Sequence, residues 1–357
     1  VMKLEGGSAF GELSSALANS SKSVDYVVPV TDNGGSSGEI RRVFGGSAVG
    51  DIRSRLMHVA PIEKSCYHLR NMLQTRLDPY NESKAMFQMK EFCSAHADDW
   101  KSMTENERII LVLLSIFIKM ATAYDSTNSS DVWFQFRSSN FGNLVLHSLK
   151  FVLGGLEEAI RWFSFALLVP ETTRVFPCTL DLEQTGIELG AELEDGQIIL
   201  GQDEISHPPV EEGGVLSVDK NLFGGSDRAP PSKICKMFYS LSTTGERIKP
   251  SANLNILPVL ETAELILYGP GSLFTSVMPS LILPGMGEAV ASSKAQKLLL
   301  LNGNSDRESG NMTALEYLSP VTAPTDLTFR RFAQAIASGF NRYGECEHDL
   351  SAYLNYV

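Results

Sequence analysis

The sequence D-N-G-G-S-S-G-E-I-R-R-V-F-G-G-S-A-V-G-D-I-R, residues 32–53, follows the apolar, strand-like run of residues 26–30. It contains six glycines and three arginines. Glycine lets the backbone approach a ligand closely, and the free N–H groups at the start of a helix bind anions. In a chain whose formal net charge is −12, arginines gathered beside glycines indicate a bound anion. We expect this anion to be a phosphorylated small molecule, in particular a nucleotide.

The order of the predicted elements indicates the fold class. Residues 1–60 alternate strand, glycine turn and helix twice, which is the βαβ pattern of a parallel sheet. The Asp195-Gly196 pair predicts a hairpin turn. Further strand-like runs cover residues 174–180, 187–193, 197–200, 234–241, 265–268 and 297–301. We predict an α/β fold with a mostly parallel sheet, in one large domain or two closely joined ones.

Four segments differ from this alternation. Residues 62–130 are rich in Leu, Met, Lys and Glu, which predicts a helical insertion, and residues 326–357 predict a C-terminal helical segment. Residues 207–232 hold several prolines and glycines and predict a mobile surface loop. Residues 136–168 predict a long helical stretch broken near Gly154-Gly155. Its core candidates are Leu144, Leu146, Leu149 and Val152.

Composition excludes several classes of function. The negative net charge argues against nucleic acid or an anionic membrane surface as a main partner. The five cysteines form no C-x-x-C pair, which excludes the usual zinc spacings and a disulfide framework. The longest apolar run, residues 109–118, is too short to span a bilayer. We therefore expect a cytoplasmic protein. The same observations are also compatible with an organelle-targeting segment outside this sequence.

The first glycine turn follows the first predicted strand. A P-loop requires Lys and Ser/Thr where Glu12 and Leu13 stand, so that interpretation fails. A dinucleotide-binding fingerprint requires glycine where Ser8 stands, so that match is partial. The structural alternative is a tight turn in which Ser8 caps the helix. We favour ligand contact, and the candidates are Gly6, Gly7, Ser8, Ala9 and Phe10.

The second turn follows the second strand and supplies further candidates. Ser36 and Glu39 fit a capping box, which explains those two residues structurally. A capping box does not explain three neighbouring glycines, each of which weakens a helix start by roughly 1 kcal/mol relative to alanine. Asp32 has the chemistry to receive ribose hydroxyls, hold a metal that bridges phosphates, or orient an attacking hydroxyl. The ligand candidates of this turn are Asn33, Gly34, Gly35 and Ser36.

A third element begins at Gly50. Asp51 fits a structural role as helix cap, and Arg55 fits a solvated face. Arg53 lies in the first helical turn, where the helix dipole disfavours a cation unless an anion offsets it. We therefore select Asp51 and Arg53, with Asp32, as catalytic candidates, and Gly50 as a ligand candidate.

A fourth glycine turn, Y-G-P-G-S-L-F-T-S at residues 268–276, again joins a strand to a helix start. Ser272 fits a simple capping role, but two glycines at the carboxyl end of a strand also indicate a ligand wall. Its candidates are Gly269, Gly271, Ser272, Leu273 and Thr275, and Asn143 adds a polar group from another segment. The six histidines show no paired metal spacing, so the sequence does not support a histidine metal site.

With these residues placed, the chain resembles the CofD/YvcK family of α/β proteins. The matching motifs occur in order along most of the chain: G-G-S-A-F at 6–10, D-N-G-G-S-S-G-E-I-R-R at 32–42, G-D-I-R at 50–53, F-G-N-L at 141–144, E-L-G-A-E-L at 188–193, and G-P-G-S-L-F-T-S at 269–276 with P-S-L at 279–281. The resemblance implies a single Rossmann-like, three-layer α/β/α domain over residues 1–357, with the ligand at the carboxyl ends of the strands.

The resemblance also implies two kinds of function. One branch of the family transfers a phospholactyl group from a guanosine-diphosphate-linked donor to a deazaflavin precursor. The other branch binds nucleotide sugars and regulates carbon use or cell shape. Many relatives carry two acids where this chain has Asp32-Asn33, and an amide is a poorer ligand for a hard metal than a carboxylate.

Three hypotheses remain open from the sequence. The chain is a transferase of phosphorus-containing groups, similar to 2-phospho-L-lactate transferase, with Mg²⁺ or another divalent cation and no organic cofactor. Alternatively, it is a non-catalytic regulator that binds a nucleotide sugar or dinucleotide. An NAD-dependent dehydrogenase is disfavoured by the broken fingerprint. The expected ligand is GDP-, UDP-sugar- or NAD-like, and a homodimer is compatible with each hypothesis.

Overall fold

The computed structural model describes residues 1–4, 23–63, 66–95, 101–127, 133–180, 186–207, 211–212, 215–216, 234–300 and 350–356, together with residues 230, 232, 308 and 348. Its backbone contacts divide the chain into two compact units. The first unit comprises Val1–Asp32 and Thr172–Val357, and the second comprises Asn33–Glu171. The prediction of one single domain stays a prediction.

The described strands belong to the first unit. They are β1 (Met2–Leu4), β2 (Val24–Val28), β3 (Thr173–Pro177), β4 (Ile187–Leu193), β5 (Ile198–Leu200), β6 (Glu211–Glu212), β7 (Val215–Leu216), β8 (Ile234–Leu241), β9 (Arg247–Ile248), β10 (Leu265–Tyr268) and β11 (Gln296–Leu299). Five of them form a parallel sheet in the order β11-β10-β1-β2-β3. Every residue of β1 and β2 is buried, as expected for the centre of a parallel sheet. The predicted α/β class with a parallel sheet is confirmed.

A second sheet in the same unit corrects one strand assignment. It is antiparallel, in the order β5-β4-β8-β9. The hairpin of β4 and β5 across Asp195-Gly196 is confirmed. Residues 234–241 were expected in the parallel sheet, but β8 pairs along its length with β4 instead. β4 thus has β5 on one side and β8 on the other, so that neither of its edges is left unpaired.

The described helices lie in both units. The second unit holds α1 (Gly35–Phe44), α2 (Gly50–Val59), α3 (Tyr67–Gln74), α4 (Glu82–Ala95), α5 (Glu105–Thr127), α6 (Phe141–Leu153) and α7 (Leu156–Ala166). The first unit holds α8 (Gln202–Ser206), α9 (Leu257–Thr262), a π-helical turn (Leu273–Val277), α10 (Met278–Leu281), α11 (Met286–Ser292) and α12 (Leu350–Tyr353). The described parts of residues 62–130 are thus mainly helical, although the extent of an insertion stays a prediction.

Helix α6 lies at the centre of the second unit. Its residues 141–149 are all buried, and it packs against α5 and α7. The predicted break near Gly154-Gly155 is confirmed, because Gly154 ends α6 in the left-handed conformation. The prediction of Val152 as a core residue is wrong, since its side chain is 53% exposed. Residues 151–153, the last three of α6, are all exposed.

None of the described helices is by itself long and apolar enough to cross a membrane. The helical segments over residues 273–281 and 286–292 reach the required apolar length only together, and they meet at a bend of 81°. Most of two predicted segments, residues 207–232 and 326–357, lies outside the described residues. Within those ranges the structure shows the short β6–β7 pair and α12. The cytoplasmic location stays a prediction.

Replacing Gly38 by alanine is expected to destabilise the second unit by about 2–3 kcal/mol. A Cβ at Gly38 would lie 1.9 Å from the backbone carbonyl oxygen of Asn33, which cannot move without displacing the start of α1. Gly155→Ala is the matched control, because its Cβ would meet only the flexible end of Glu158. The control should change the unfolding free energy by less than about 1 kcal/mol. Equal losses in urea unfolding of the two variants would contradict this steric explanation.

Candidate anion-binding site

The start of α1 has no side-chain cap, and its first residue, Gly35, is exposed. Gly34 is the N-cap residue, and Gly35 has a φ of +51°, which a side chain rarely adopts. The predicted capping box is therefore wrong. Ser36 lies inside the helix and is buried, and Glu39 instead accepts a hydrogen bond from the Gln135 N–H at 2.6 Å. A helix start without a side-chain cap offers backbone N–H groups to an anion.

The start of α2 lies directly against α1. Its N-cap residue is Val49, and no side chain caps it, so Asp51 does not have the capping role that the sequence allowed. A Cβ at Gly50 would lie 2.4 Å from the hydroxyl oxygen of Ser37. Glycine at position 50 therefore allows the first turns of the two helices to pack together, and its choice as a ligand-binding residue stays a prediction.

Asn143 connects these two helix starts to a third one. Its Oδ1 accepts a hydrogen bond from Arg53 Nε at 2.8 Å, and its Nδ2 donates to the Ser36 hydroxyl at 2.8 Å. Asn140 caps α6 by accepting a hydrogen bond from the Asn143 N–H at 3.3 Å. Both polar groups of the Asn143 side chain are thus engaged within the protein. The structure brings Ser36, Gly50, Arg53 and Asn143 together, and Asn143 orients Arg53.

Arg53 has an unfavourable environment for a cation. Burial, and next the charge of Arg76, lower the pKa of Arg53 from 12.5 to about 10, while Asp51 acts in the opposite direction. Within the described residues, the guanidinium hydrogen bonds only to Asn143 and forms no ion pair. The neighbouring Arg76 is exposed and donates to the Ser138 carbonyl at 3.4 Å. Two guanidinium groups so placed repel each other, and an anion between them would remove that repulsion.

The structure gives two arginines, Arg55 and Arg76, an environment that the sequence did not predict. Arg55 was expected on a solvated face, but it is only 2% exposed. Arg76 was not selected at all, because it lies in the predicted insertion, far from any glycine motif. An antiparallel bridge between Arg76 and Asn140 brings it to the start of α6. Its only sequence signal is a positive charge, which most surface segments share.

The candidates of the first unit have a different environment. Gly269 has a φ of +74° and lies against the Leu300 carbonyl. Leu273 is buried, and the N–H of buried Thr275 donates to the carboxylate of Glu308 at 3.1 Å. Asp32 is half-buried and is the last residue of the segment Val1–Asp32 of this unit. Gly271 and Ser272 lie in the turn after β10. The Ser272 side chain makes no capping hydrogen bond.

The remaining predictions stay open. Gly6, Gly7, Ser8, Ala9 and Phe10 lie outside the described residues, so the pocket of three loops that the sequence indicated stays a prediction. In the part of the chain that the structure describes, no three His, Cys, Asp or Glu side chains converge in a way that would hold a metal ion. We therefore derive no chemical step through a divalent cation.

Comparison with known proteins identifies related sequences and folds. The sequence profile of the family described as 2-phospho-L-lactate transferase CofD matches residues 1–336. An uncharacterized Saccharomyces cerevisiae protein, YNL011C, is 26% identical over 90% of this chain and 82% of its own length. The gluconeogenesis factor of Bacillus subtilis is 24% identical over 83% of this chain and 65% of its own length. A putative gluconeogenesis factor from Nostoc is 26% identical, and the match covers 46% of it, about half its length.

The solved structure of protein BH3568 from Bacillus halodurans has the same fold. Its TM-score to this chain is 0.61 at 21% sequence identity, and the match covers 95% of this chain and 77% of that one. At this level of identity the likeness shows the fold alone.

Proposed function

The chain belongs to the 2-phospho-L-lactate transferase CofD family, and from this premise we propose that it binds a nucleoside diphosphate-linked small molecule and transfers its phosphoryl-linked group. The proposal places one phosphate of this ligand at the starts of α1, α2 and α6 in the second unit. Arg53 and Arg76 supply the positive charge there, and the first turns of the helices supply N–H donors.

The observation that carries this proposal is the partly buried Arg53, whose guanidinium forms no ion pair with the described residues. Removing a guanidinium from water is unfavourable unless an opposite charge and hydrogen bonds compensate it. The described part of the chain supplies one hydrogen bond, from Nε to Asn143, and a second cation nearby. That arrangement leaves the two Nη groups for a phosphate, which arginine binds through two parallel hydrogen bonds. A ligand phosphate thus explains an arrangement that is unfavourable for the free protein.

The same residues suit transfer of a phosphorus-containing group. Such reactions depend mainly on positioning and on stabilising the charge that spreads over the phosphoryl oxygens in the transition state. Arg53 would provide this stabilisation from a fixed position, because Asn143 holds its Nε. Asp51, two residues before it, would orient the acceptor hydroxyl. Mg²⁺ or Mn²⁺ remains an expectation that the experiment below tests.

A second candidate is a regulatory protein that binds the same ligand without turnover. Two observations favour it: the relatives named gluconeogenesis factors, and Asn33, which stands beside Asp32 where a second carboxylate would strengthen metal binding. The two functions share the phosphate site and differ in whether a product forms.

A thermal-unfolding panel with GDP, a UDP-sugar and NAD tests the binding proposal, each with and without Mg²⁺ or Mn²⁺. A ligand at a hundred times its Kd stabilises the folded state by about 2.7 kcal/mol. For a chain of this size, that corresponds to a rise in Tm of about 2 °C or more. The matched nucleosides, which lack phosphate, should have no effect. If no phosphorylated ligand raises the Tm, the proposal is wrong.

Turnover separates the two candidate functions. Phosphorus NMR of the stabilising ligand, mixed with a deazaflavin precursor as acceptor, should show a new phosphate ester and a released nucleotide if the chain is a transferase. The ester is a monoester if GDP is the donor and a diester if a UDP-sugar or NAD is the donor. Binding without any change in the spectrum, over times in which the ligand alone is stable, would favour the regulatory function.

A further inference from the structure

A buried carboxylate in the first unit occupies the turn after β10. The side chain of Glu308 is only 4% exposed. Its Oε2 accepts hydrogen bonds from the backbone N–H groups of Thr275 at 3.1 Å and Phe274 at 3.2 Å. Its Oε1 accepts from the Ser206 hydroxyl at 2.7 Å and from the Thr275 hydroxyl. One carboxylate thus receives two backbone and two side-chain donors.

These donors come from distant parts of the sequence. Ser206 ends α8, Phe274 and Thr275 belong to the π-helical turn, and Glu308 follows β11. The Ser206 and Thr275 hydroxyl oxygens are themselves 3.1 Å apart, but each hydroxyl has one proton and the shorter bond of each is to Glu308. The carboxylate therefore fixes the turn that begins at Gly269 by joining it to two other segments.

The charge of Glu308 decides what this turn accepts. Backbone N–H groups in a glycine turn are the usual donors to a ligand phosphate. Here the N–H groups of Phe274 and Thr275 already donate to an anion. A phosphate brought to the same groups would meet a negative charge within a few ångströms, and that repulsion is strong where water is excluded.

We propose that Glu308 is a positioning and specificity-determining residue that replaces a ligand phosphate at the turn after β10. It holds the turn in shape and excludes the phosphates of the ligand from it. This inference rests on the proposed function, since the phosphates that Glu308 excludes from the turn are those of the proposed ligand. Gly269, Gly271 and Ser272 stay ligand candidates, and the proposal excludes a phosphate only from the N–H groups of Phe274 and Thr275.

Chemical rescue tests the positioning role. Glu308→Ala should lower the Tm by several degrees, and formate should restore at least half of that loss, because a small carboxylate fits the vacated space. Chloride at the same ionic strength should not. Glu308→Gln fills the space and should show a smaller loss without rescue, and Glu288→Ala, a surface glutamate of the same unit, should show neither effect.

Each result of the rescue experiment decides the positioning role. An unchanged Tm in Glu308→Ala, or equal effects of formate and chloride, overturns it. If the alanine variant does not fold, it is refolded in each salt. Recovery in formate alone supports the positioning role, and recovery in neither salt overturns it.

Inorganic phosphate tests the exclusion of anions. Glu308→Ala should bind phosphate about tenfold more tightly than the wild type, and the gain should persist when Arg53→Ala is added. No gain, or a gain that disappears with Arg53→Ala, overturns the exclusion. Neither this readout nor the formate rescue requires nucleotide binding, so their failure is distinguishable from failure of the proposed function.

Discussion

Replacing Arg53 with methionine is expected to weaken binding of the phosphorylated ligand by about a hundredfold, which is about 3 kcal/mol. Methionine keeps much of the side-chain volume but removes both the charge and the paired donors to a phosphate. The loss should be absent for the matched nucleoside, which has no phosphate. Isothermal titration calorimetry with the ligand found in the thermal panel measures both values.

Two further variants separate the charge from the geometry. Arg53→Lys keeps a cation but cannot bond to Asn143 and a phosphate through a planar fork, so we expect an intermediate loss of about tenfold. Arg161→Ala is the matched control, because Arg161 lies exposed on α7 in an ion pair with Glu158. It should leave the affinity unchanged. Equal affinities of wild type and Arg53→Met for the phosphorylated ligand would contradict the site.

The stability of the free protein distinguishes a ligand-binding role of Arg53 from a structural one. Arg53→Met removes a partly buried cation that repels Arg76, and it also removes one hydrogen bond to Asn143. These effects oppose each other, so we expect the unfolding free energy to change by less than about 1 kcal/mol or to increase. A structural arginine would show the opposite pattern, namely a large loss of stability with a secondary loss of binding.

The elements that could be predicted from sequence are those that local pattern determines. The buried strand β2 follows from an apolar run, and the β4–β5 hairpin follows from Asp195-Gly196. The boundary between α6 and α7 follows from Gly154-Gly155. In each case the signal lies within a few residues of the element that it specifies, so no knowledge of distant contacts was needed.

Predictions from local sequence were wrong where a distant residue bonds to the side chain that the local motif would use. Ser36 and Glu39 have the spacing of a capping box, which would make Ser36 the N-cap residue. The observed N-cap residue is Gly34, two positions earlier, and the Ser36 hydroxyl accepts a hydrogen bond from Asn143, 107 positions away. The same spacing does form a capping box at Thr104 and Glu107. There the Thr104 N–H donates to Glu107 Oε2 at 2.8 Å. The motif is therefore ambiguous until its distant neighbours are known.

The site shows the same limit. The glycines and Arg53 could be selected from sequence, because glycine clusters and a cation in a first helical turn are unusual locally. The partners that give Arg53 its properties could not be selected in the same way. Asn143 was only a weak candidate, and Arg76 was missed, because their importance comes from the packing of α2 and α3 against α6. The role of Glu308 likewise could not be predicted, because it depends on the hydrogen bonds that its carboxylate makes with the turn after β10.

The buried His147 is expected to make the free energy of unfolding decrease with falling pH, and this decrease should begin at a higher pH than the titration of carboxylates. His147 lies on α6 between the rings of Phe44 and Phe117, with ring centroids 5.0 and 5.9 Å away. Its side chain is 6% exposed, and its Nδ1 has no hydrogen-bond partner among the described residues. Burial, and next the charge of Lys150, lower the pKa of His147 from 6.5 to about 3.

The sign of the effect follows from proton binding. Between these two pKa values the unfolded chain binds a proton that the folded chain does not, so stability increases with pH in this range. The contribution of His147 is complete above pH 6.5 and is lost as the pH falls towards 3. The slope approaches about 1.4 kcal/mol per pH unit, and the full loss is about 5 kcal/mol. The effect is large because burial removes most of the hydration of the protonated ring and because Nδ1 has no acceptor among the described residues.

His147→Phe should remove most of this slope, because phenylalanine suits the aromatic surroundings and does not titrate. Urea unfolding between pH 8 and pH 5 measures it, in a range that precedes the titration of ordinary carboxylates at about pH 4. His58→Gln is the matched control, since His58 is exposed and its one hydrogen bond to the described residues is to the Ser54 carbonyl of its own helix. It should leave the slope unchanged. An equal slope in wild type and His147→Phe, or an imidazole NMR signal of His147 that titrates near pH 6.5, would show that the ring is not held neutral by its burial.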